Sequence, residues 1–181
     1  MIPIRLHNHD SIPRTIWFLI LYFLTLLSVS TNSYSQNYFS GMHRPKGPEG
    51  ISYLLRNEVN HRACRHFMDH FLNDGSEKWV QQNGVYTASF TAAGVKNKVY
   101  YNSKGDFQFS IRSYSSEALN KNIKASILQK FDGYQIKFVQ EITNLEKQVY
   151  LIKIVNRSNI KTLEYADGVI RVSETLVNGG I

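Results

Sequence analysis

One cysteine, Cys64, is all that 181 residues contain, and a lone thiol excludes any intramolecular disulfide. Small secreted domains usually carry paired cysteines, whereas a bacterial periplasmic domain of this size folds without them. Cys64 itself reads either as a reactive thiol or as a small, ordinary helix residue. The sequence also lacks a Gly-rich phosphate loop, a Gly-x-Ser-x-Gly elbow and a His-Glu-x-x-His pair, so the common nucleotide, hydrolase and zinc-protease signatures are missing. Lysine and arginine outnumber the acids to give a net charge of +7, yet they are scattered along the chain. A scattered excess describes a solvated surface and provides no basic cluster for nucleic acid. An acidic protein or an anionic envelope surface remains compatible with it.

Long apolar runs are also scarce, and the longest is at the N-terminus. Arg5 and Arg14 precede an apolar stretch, Ile16 to Val29, followed by polar and small residues ending in Ser33-Tyr34-Ser35. This is the pattern of a secretory signal peptide with cleavage near Ser35/Gln36. A retained anchor is the alternative, but a span needs about 20 apolar residues. With no cysteine at the cleavage point, no lipid-anchored end is expected. Residues 1–35 are therefore read as a signal peptide, with no stable membrane span after its removal. Residues 36–51, with Pro45 and Pro48, are read as a flexible lead, and 52–177 as one domain. A periplasmic or secreted location follows.

What the sequence does contain is a repeat. Val85-Tyr86, Phe90, Val99 and Tyr101 recur at the same spacing as Val149-Tyr150, Ile154, Leu163 and Tyr165. Upstream, Asp74-Gly75 with Lys78-Trp79-Val80 is echoed by Asp132-Gly133 with Lys137-Phe138-Val139. Such self-similarity marks one supersecondary unit used twice, here about 52–114 and 115–177.

A helix is expected from about Ser52 to Leu72, because Leu55, Val59, Ala63, Phe67 and Phe71 recur every four residues. A second is expected from about Ser116 to Phe131, with Leu119, Ile123, Ile127 and Phe131 inward and Ser115 or Ser116 as N-cap. Strands are expected at Lys78–Gln82, Val85–Ala92, Lys96–Tyr101, Asp106–Ser113, Gln135–Ile142, Gln148–Asn156, Lys161–Tyr165 and Val169–Thr175. Asn83-Gly84 is a strong two-residue hairpin signal. The expected fold class is α+β, two tandem helix–four-strand units forming a continuous antiparallel sheet with helices on one face. Its core should hold Phe67, Trp79, Tyr86, Phe90, Phe131, Phe138 and Ile154.

Trp79, the strand Tyr86-x-Ala88-x-Phe90, the pair Tyr100-Tyr101 and the turn Lys104-Gly105 together resemble the bacterial periplasmic proteins called PepSY-like or beta-lactamase-inhibitor-like (BLIP-like). The resemblance spans about Val59 to Thr175, through short motifs. It departs from the pattern where Leu72, and no proline, follows Phe71, and where Phe138 stands for the tryptophan in the second copy. It implies a sheet protein that grips a partner with its open face. It carries over no inhibitory residue.

If the helices cover the face of Tyr86, Ala88 and Phe90, strict alternation puts Thr87, Ser89, Lys98, Tyr100, Gln108, Ser110 and Arg112 on the opposite face, and Lys137, Lys153 and Glu164 with them. Lys98, Tyr100, Gln108, Arg112, Lys137 and Lys153 are the candidate binding face, since tyrosine and arginine are enriched at binding hot spots. An ordinary solvated sheet face is the alternative. The hairpin loops at Asn83-Gly84 and Asn144 to Lys147 are a second candidate surface. No cofactor or catalytic residue is expected, and the expected partner is a protein or peptide of the cell envelope. The competing function is a metal-binding or enzymatic envelope protein built on the first helix. There His66 and His70, four apart, share a face, while Cys64 lies off it and a third ligand must come from elsewhere.

Overall fold

In a computed structural model, the structure describes residues 50–71 and 75–177. The proposed signal peptide, its cleavage site, most of the lead, Asp74 and the last four residues lie outside them. Nine strands and two α-helices follow one another: β1 (Ile51–Leu54), α1 (His61–His70), β2 (Lys78–Gln82), β3 (Val85–Ala92), β4 (Val95–Tyr101), β5 (Phe107–Tyr114), α2 (Lys121–Lys130), β6 (Gln135–Thr143), β7 (Gln148–Val155), β8 (Asn159–Ala166) and β9 (Val169–Val177). All nine strands form one sheet in chain order, β1 to β9, each antiparallel to the next. Among the described residues no helix is long and apolar enough to cross a membrane.

This architecture corrects the expected class. Among the described residues the chain is predominantly β, one nine-stranded sheet with two ten-residue helices, and not an α+β pair of helix–four-strand units. The main reason lies in the stretch expected as the first half of a helix. Ile51 to Leu54 instead add a strand to the sheet, paired with Trp79 to Gln82. A 3-10 turn, Arg56–Glu58, follows. The helix starts only where Asn60 supplies an N-cap, its Oδ1 accepting from the Arg62 amide at 3.0 Å. Leu55, assigned to the inward stripe, is 64% exposed. The second helix is shortened in the same way: Asn120 Oδ1 accepts from the Asn122 amide at 2.9 Å, whereas the Ser115 hydroxyl donates to Glu117. A side-chain oxygen at the first turn offsets an otherwise orphaned amide, and the asparagines, not the serines, stand where the chain turns helical.

Two apolar clusters lie between helices and sheet. Under α1, Phe67 is fully buried among Trp79, Ala88, Phe90, Val99 and Tyr101. Its ring meets Trp79 edge-on at 5.2 Å and Phe90 at 5.4 Å between centroids. Under α2, Ile123 and Ile127 pack on Val139, Ile152, Ile154 and Leu163. Tyr86 and Phe131 border these clusters, half-buried. Phe138 is not a core residue and is 41% exposed. A register shift between Ile136 and Phe138 turns it away from α2, and the residue paired with Ile152, as Trp79 is with Ala88, is Val139.

Candidate functional site

Cross-strand register decides which side chains share the face turned away from both helices. Opposed residues lie on the same face of a sheet. Ala88 and Val99, opposed to each other, are in the cluster under α1, so their neighbours Thr87, Ser89, Lys98 and Tyr100 face the other way. Lys98 opposes Ser89 and Ile111, and Ile111 opposes Ile142, which opposes Val149. One row over, Lys96, Ser113, Gln140, Leu151, Glu164 and Arg171 oppose each other in turn across β4 to β9. A third row runs from Phe138 through Lys153 and Thr162 to Glu174. The face therefore has an apolar middle, Tyr100, Phe109, Ile111, Ile142 and Leu151, with Lys78, Lys96 and Lys98 on the side of β2 to β4. Glu164, Arg171, Lys153 and Glu174 lie on the side of β7 to β9.

Of the six residues expected on this face, Lys98, Tyr100 and Lys153 share it. Tyr100 stacks on Phe109, ring centroids 4.5 Å apart, and is 5% exposed, with burial pushing its hydroxyl up to about 12. Desolvation pulls the Lys98 ammonium below its usual value. Lys153 is exposed, opposed to Phe138 and Thr162. Two others sit in bulges. The register shifts between Tyr100 and Tyr101, leaving Gln108 between Phe107 and Phe109; it is exposed and donates to the Asp106 and Phe107 carbonyls. Lys137 occupies the bulge between Ile136 and Phe138 and donates to Gln135 Oε1 at 2.9 Å. One extra residue reverses the alternation beyond it.

That reversal moves Arg112 to the helix side. It opposes Asn97 and Glu141, and Ser110 goes with it, opposite Val99. The buried Glu141 carboxylate accepts from Arg112 Nη1 at 3.0 Å, from the Tyr114 hydroxyl at 2.6 Å and from Gln148 Nε2 at 2.9 Å. Burial first, then the hydrogen bond to Glu141, pushes the Tyr114 hydroxyl well above its usual range. Three donors on one carboxylate tie strands β5, β6 and β7 together. Sequence reasoning missed this set, although Glu141 stands in phase with Val139, which is an inward position. It also missed the apolar middle of the opposite face. The signal there is β7, Val149 to Val155, where apolar residues occupy both phases; such a run marks a strand apolar on both faces.

On α1, His66 and His70 do share a face, their rings stacked at 4.2 Å. His66 also stacks on Phe107 at 5.0 Å, and its Nδ1 lies 3.2 Å from the Tyr101 hydroxyl. Among the described residues no group of three or more His, Cys, Asp or Glu is placed to hold a metal ion.

Comparison with solved structures supports a BLIP-like fold for this sequential antiparallel sheet with both helices on one face. Solved structures similar to this chain are a BLIP-like protein from Bacteroides fragilis (TM-score 0.52, 12% identity, 66% of this chain and 86% of that one) and a DUF2874 family protein from Bacteroides ovatus (TM-score 0.53, 16% identity, 65% and 86%). A third, from Bacteroides eggerthii and assigned provisionally to the periplasm, has TM-score 0.51 and 10% identity over 65% and 87%. At these identities the likeness is one of fold; it supports the inhibitor-like side of the resemblance and not the PepSY side. No family model and no curated protein matches the sequence.

Proposed function

We propose that this chain is a non-catalytic, exported protein of the periplasm or cell surroundings that binds a protein or peptide of the envelope through the sheet face turned away from its helices. The observation that carries the reading is the composition of that face. Phe138, 41% exposed there beside the exposed Lys153, is an apolar side chain that a sheet face meeting only water does not call for. Apolar cores ringed by charge are the anatomy of protein interfaces. The N-terminal segment and the neighbour assigned to the periplasm support the location. Lys98 and Lys153 favour a partner with acidic groups at its rim, since complementary charge steers association. No cofactor is needed for this activity.

The test is capture of a stoichiometric partner from envelope extract by the tagged chain, followed by titration of variants. Phe138→Ala and the charge reversal Lys153→Glu should each weaken binding about tenfold, the scale of a hot-spot truncation. Arg112→Ala, on the helix side, should bind normally. Normal binding by the first two variants would move the site to the hairpin loops at Asn83-Gly84 and Asn144 to Lys147.

A further inference from the structure

The last strand has the features of a pairing edge. Among the described residues β9 is bonded to β8 on one side and to no strand on the other. It is nine residues long, and Val169, Val172, Leu176 and Val177 are 46%, 47%, 49% and 83% exposed. A long edge strand that exposes apolar side chains is a template for another strand, and along it the Ile170 carbonyl accepts a long bond, 3.4 Å, from Lys130 Nζ. The opposite edge, β1, has only four residues.

We propose that the occupant is β9 of a second copy, giving a twofold dimer with one sheet continuous across both chains. The charge pattern of β9, combined with a bulge, selects that occupant. Thr162 opposes Glu174 and Leu163 opposes Val172, so Ser173 is an extra residue in β9. Without it, Arg171 and Glu174, three apart, point to opposite faces. With it, both lie on the face turned away from the helices, opposed to Glu164 and Thr162. An antiparallel β9–β9 pairing about an axis between Val172 and Ser173 sets Arg171 of each copy against Glu174 of the other, twice. The same register sets Val169 beside Leu176 and Ile170 beside Thr175, each pair on a common face. A bulge usually deters edge pairing; here it fixes the one register in which charges and faces both match. The pairing would extend the row of Glu164 and Arg171 into Glu174 and Thr162 of the second copy, Thr162 already donating to Glu174 within each chain at 3.2 Å.

Sedimentation of the full exported chain over the micromolar to millimolar range should show a monomer–dimer equilibrium. Arg171→Glu alone and Glu174→Arg alone set like charges opposite each other twice, and each should raise the dissociation constant about tenfold or more. An equimolar mixture of the two variants restores opposite charges at both positions and should recover dimers, now mixed. Circular dichroism melts separate lost pairing from lost folding. A wild-type chain that stays monomeric, variants that dimerise as wild type, or a mixture no better than its components each overturns the proposal. The first outcome would leave the edge to an extended peptide from another protein.

Discussion

Removing the Glu141 carboxylate leaves the Tyr114 hydroxyl and the Gln148 amide without their buried acceptor, and Arg112 without its counter-charge. Glu141→Ala should therefore lower stability by about 1.5–3 kcal/mol in urea denaturation, the range for hydrogen bonds to a charged group. Arg112→Ala should cost about 1 kcal/mol or less, because that side chain is 49% exposed and solvent screens the pair. Gly105 is constrained differently. It has φ +82, and a Cβ there would lie 2.3 Å from Asn60 Oδ1 and 2.9 Å from the Ala63 amide. Gly105→Ala must displace the N-cap of α1 as well as strain the turn, so a loss of about 2 kcal/mol or more is expected. His66 supplies a pH dependence. Burial, then the neighbouring His70 charge, holds it below its ordinary 6.5. Between that lowered value and 6.5 the unfolded chain binds more protons than the folded one, so stability rises with pH through this window and falls on acidification. His66→Gln, which keeps a polar partner for the Tyr101 hydroxyl, should flatten that part of the stability–pH curve; an unchanged slope would assign it to another group.

At the scale of elements, turns and strand cores were legible and phases were not. Asn83 and Gly84 both have positive φ, 49° and 77°, as their hairpin requires, and β2 and β3 have the limits read from alternation. Ala93-Gly94 adopts the same turn with Ala93 at φ 49°. An alanine Cβ is disfavoured there, so Ala93→Gly should raise the stability by about 1 kcal/mol. The bulges were invisible because one inserted residue leaves composition and periodicity on either side intact while exchanging their faces. Strict alternation therefore places Lys98, Tyr100 and Lys153 on their observed face and misplaces Arg112, which lies beyond a bulge. For the same reason the sequence repeat aligns Phe138, and not Val139, with Trp79. Phe138→Ala should barely change stability, whereas Trp79→Ala should cost about 3–5 kcal/mol; equal losses would contradict the register of β6. The helix starts were misread because the stripe Leu55 to Phe71 has helical spacing throughout, and only Asn60 marks where the helix begins.

On the scale of the whole molecule, the core is two clusters under separate helices, bridged through the sheet. Local openings follow such divisions. Ile152→Ala, a truncation of a fully buried residue under α2, should speed hydrogen exchange in β6 to β8 much more than in β2 and β3. Uniform acceleration would mean that the clusters unfold as one. The order β1 to β9 has a consequence in time. Every strand pairs with the strand that precedes it in the chain, and no pairing requires a late segment to insert between two early ones. Contacts close in sequence lower the entropy lost before the first bonds form. A chain threaded across a membrane from its N-terminus can thus add each strand to a finished neighbour as it emerges, and the newest strand, with its outer backbone groups still unpaired, is always the growing edge.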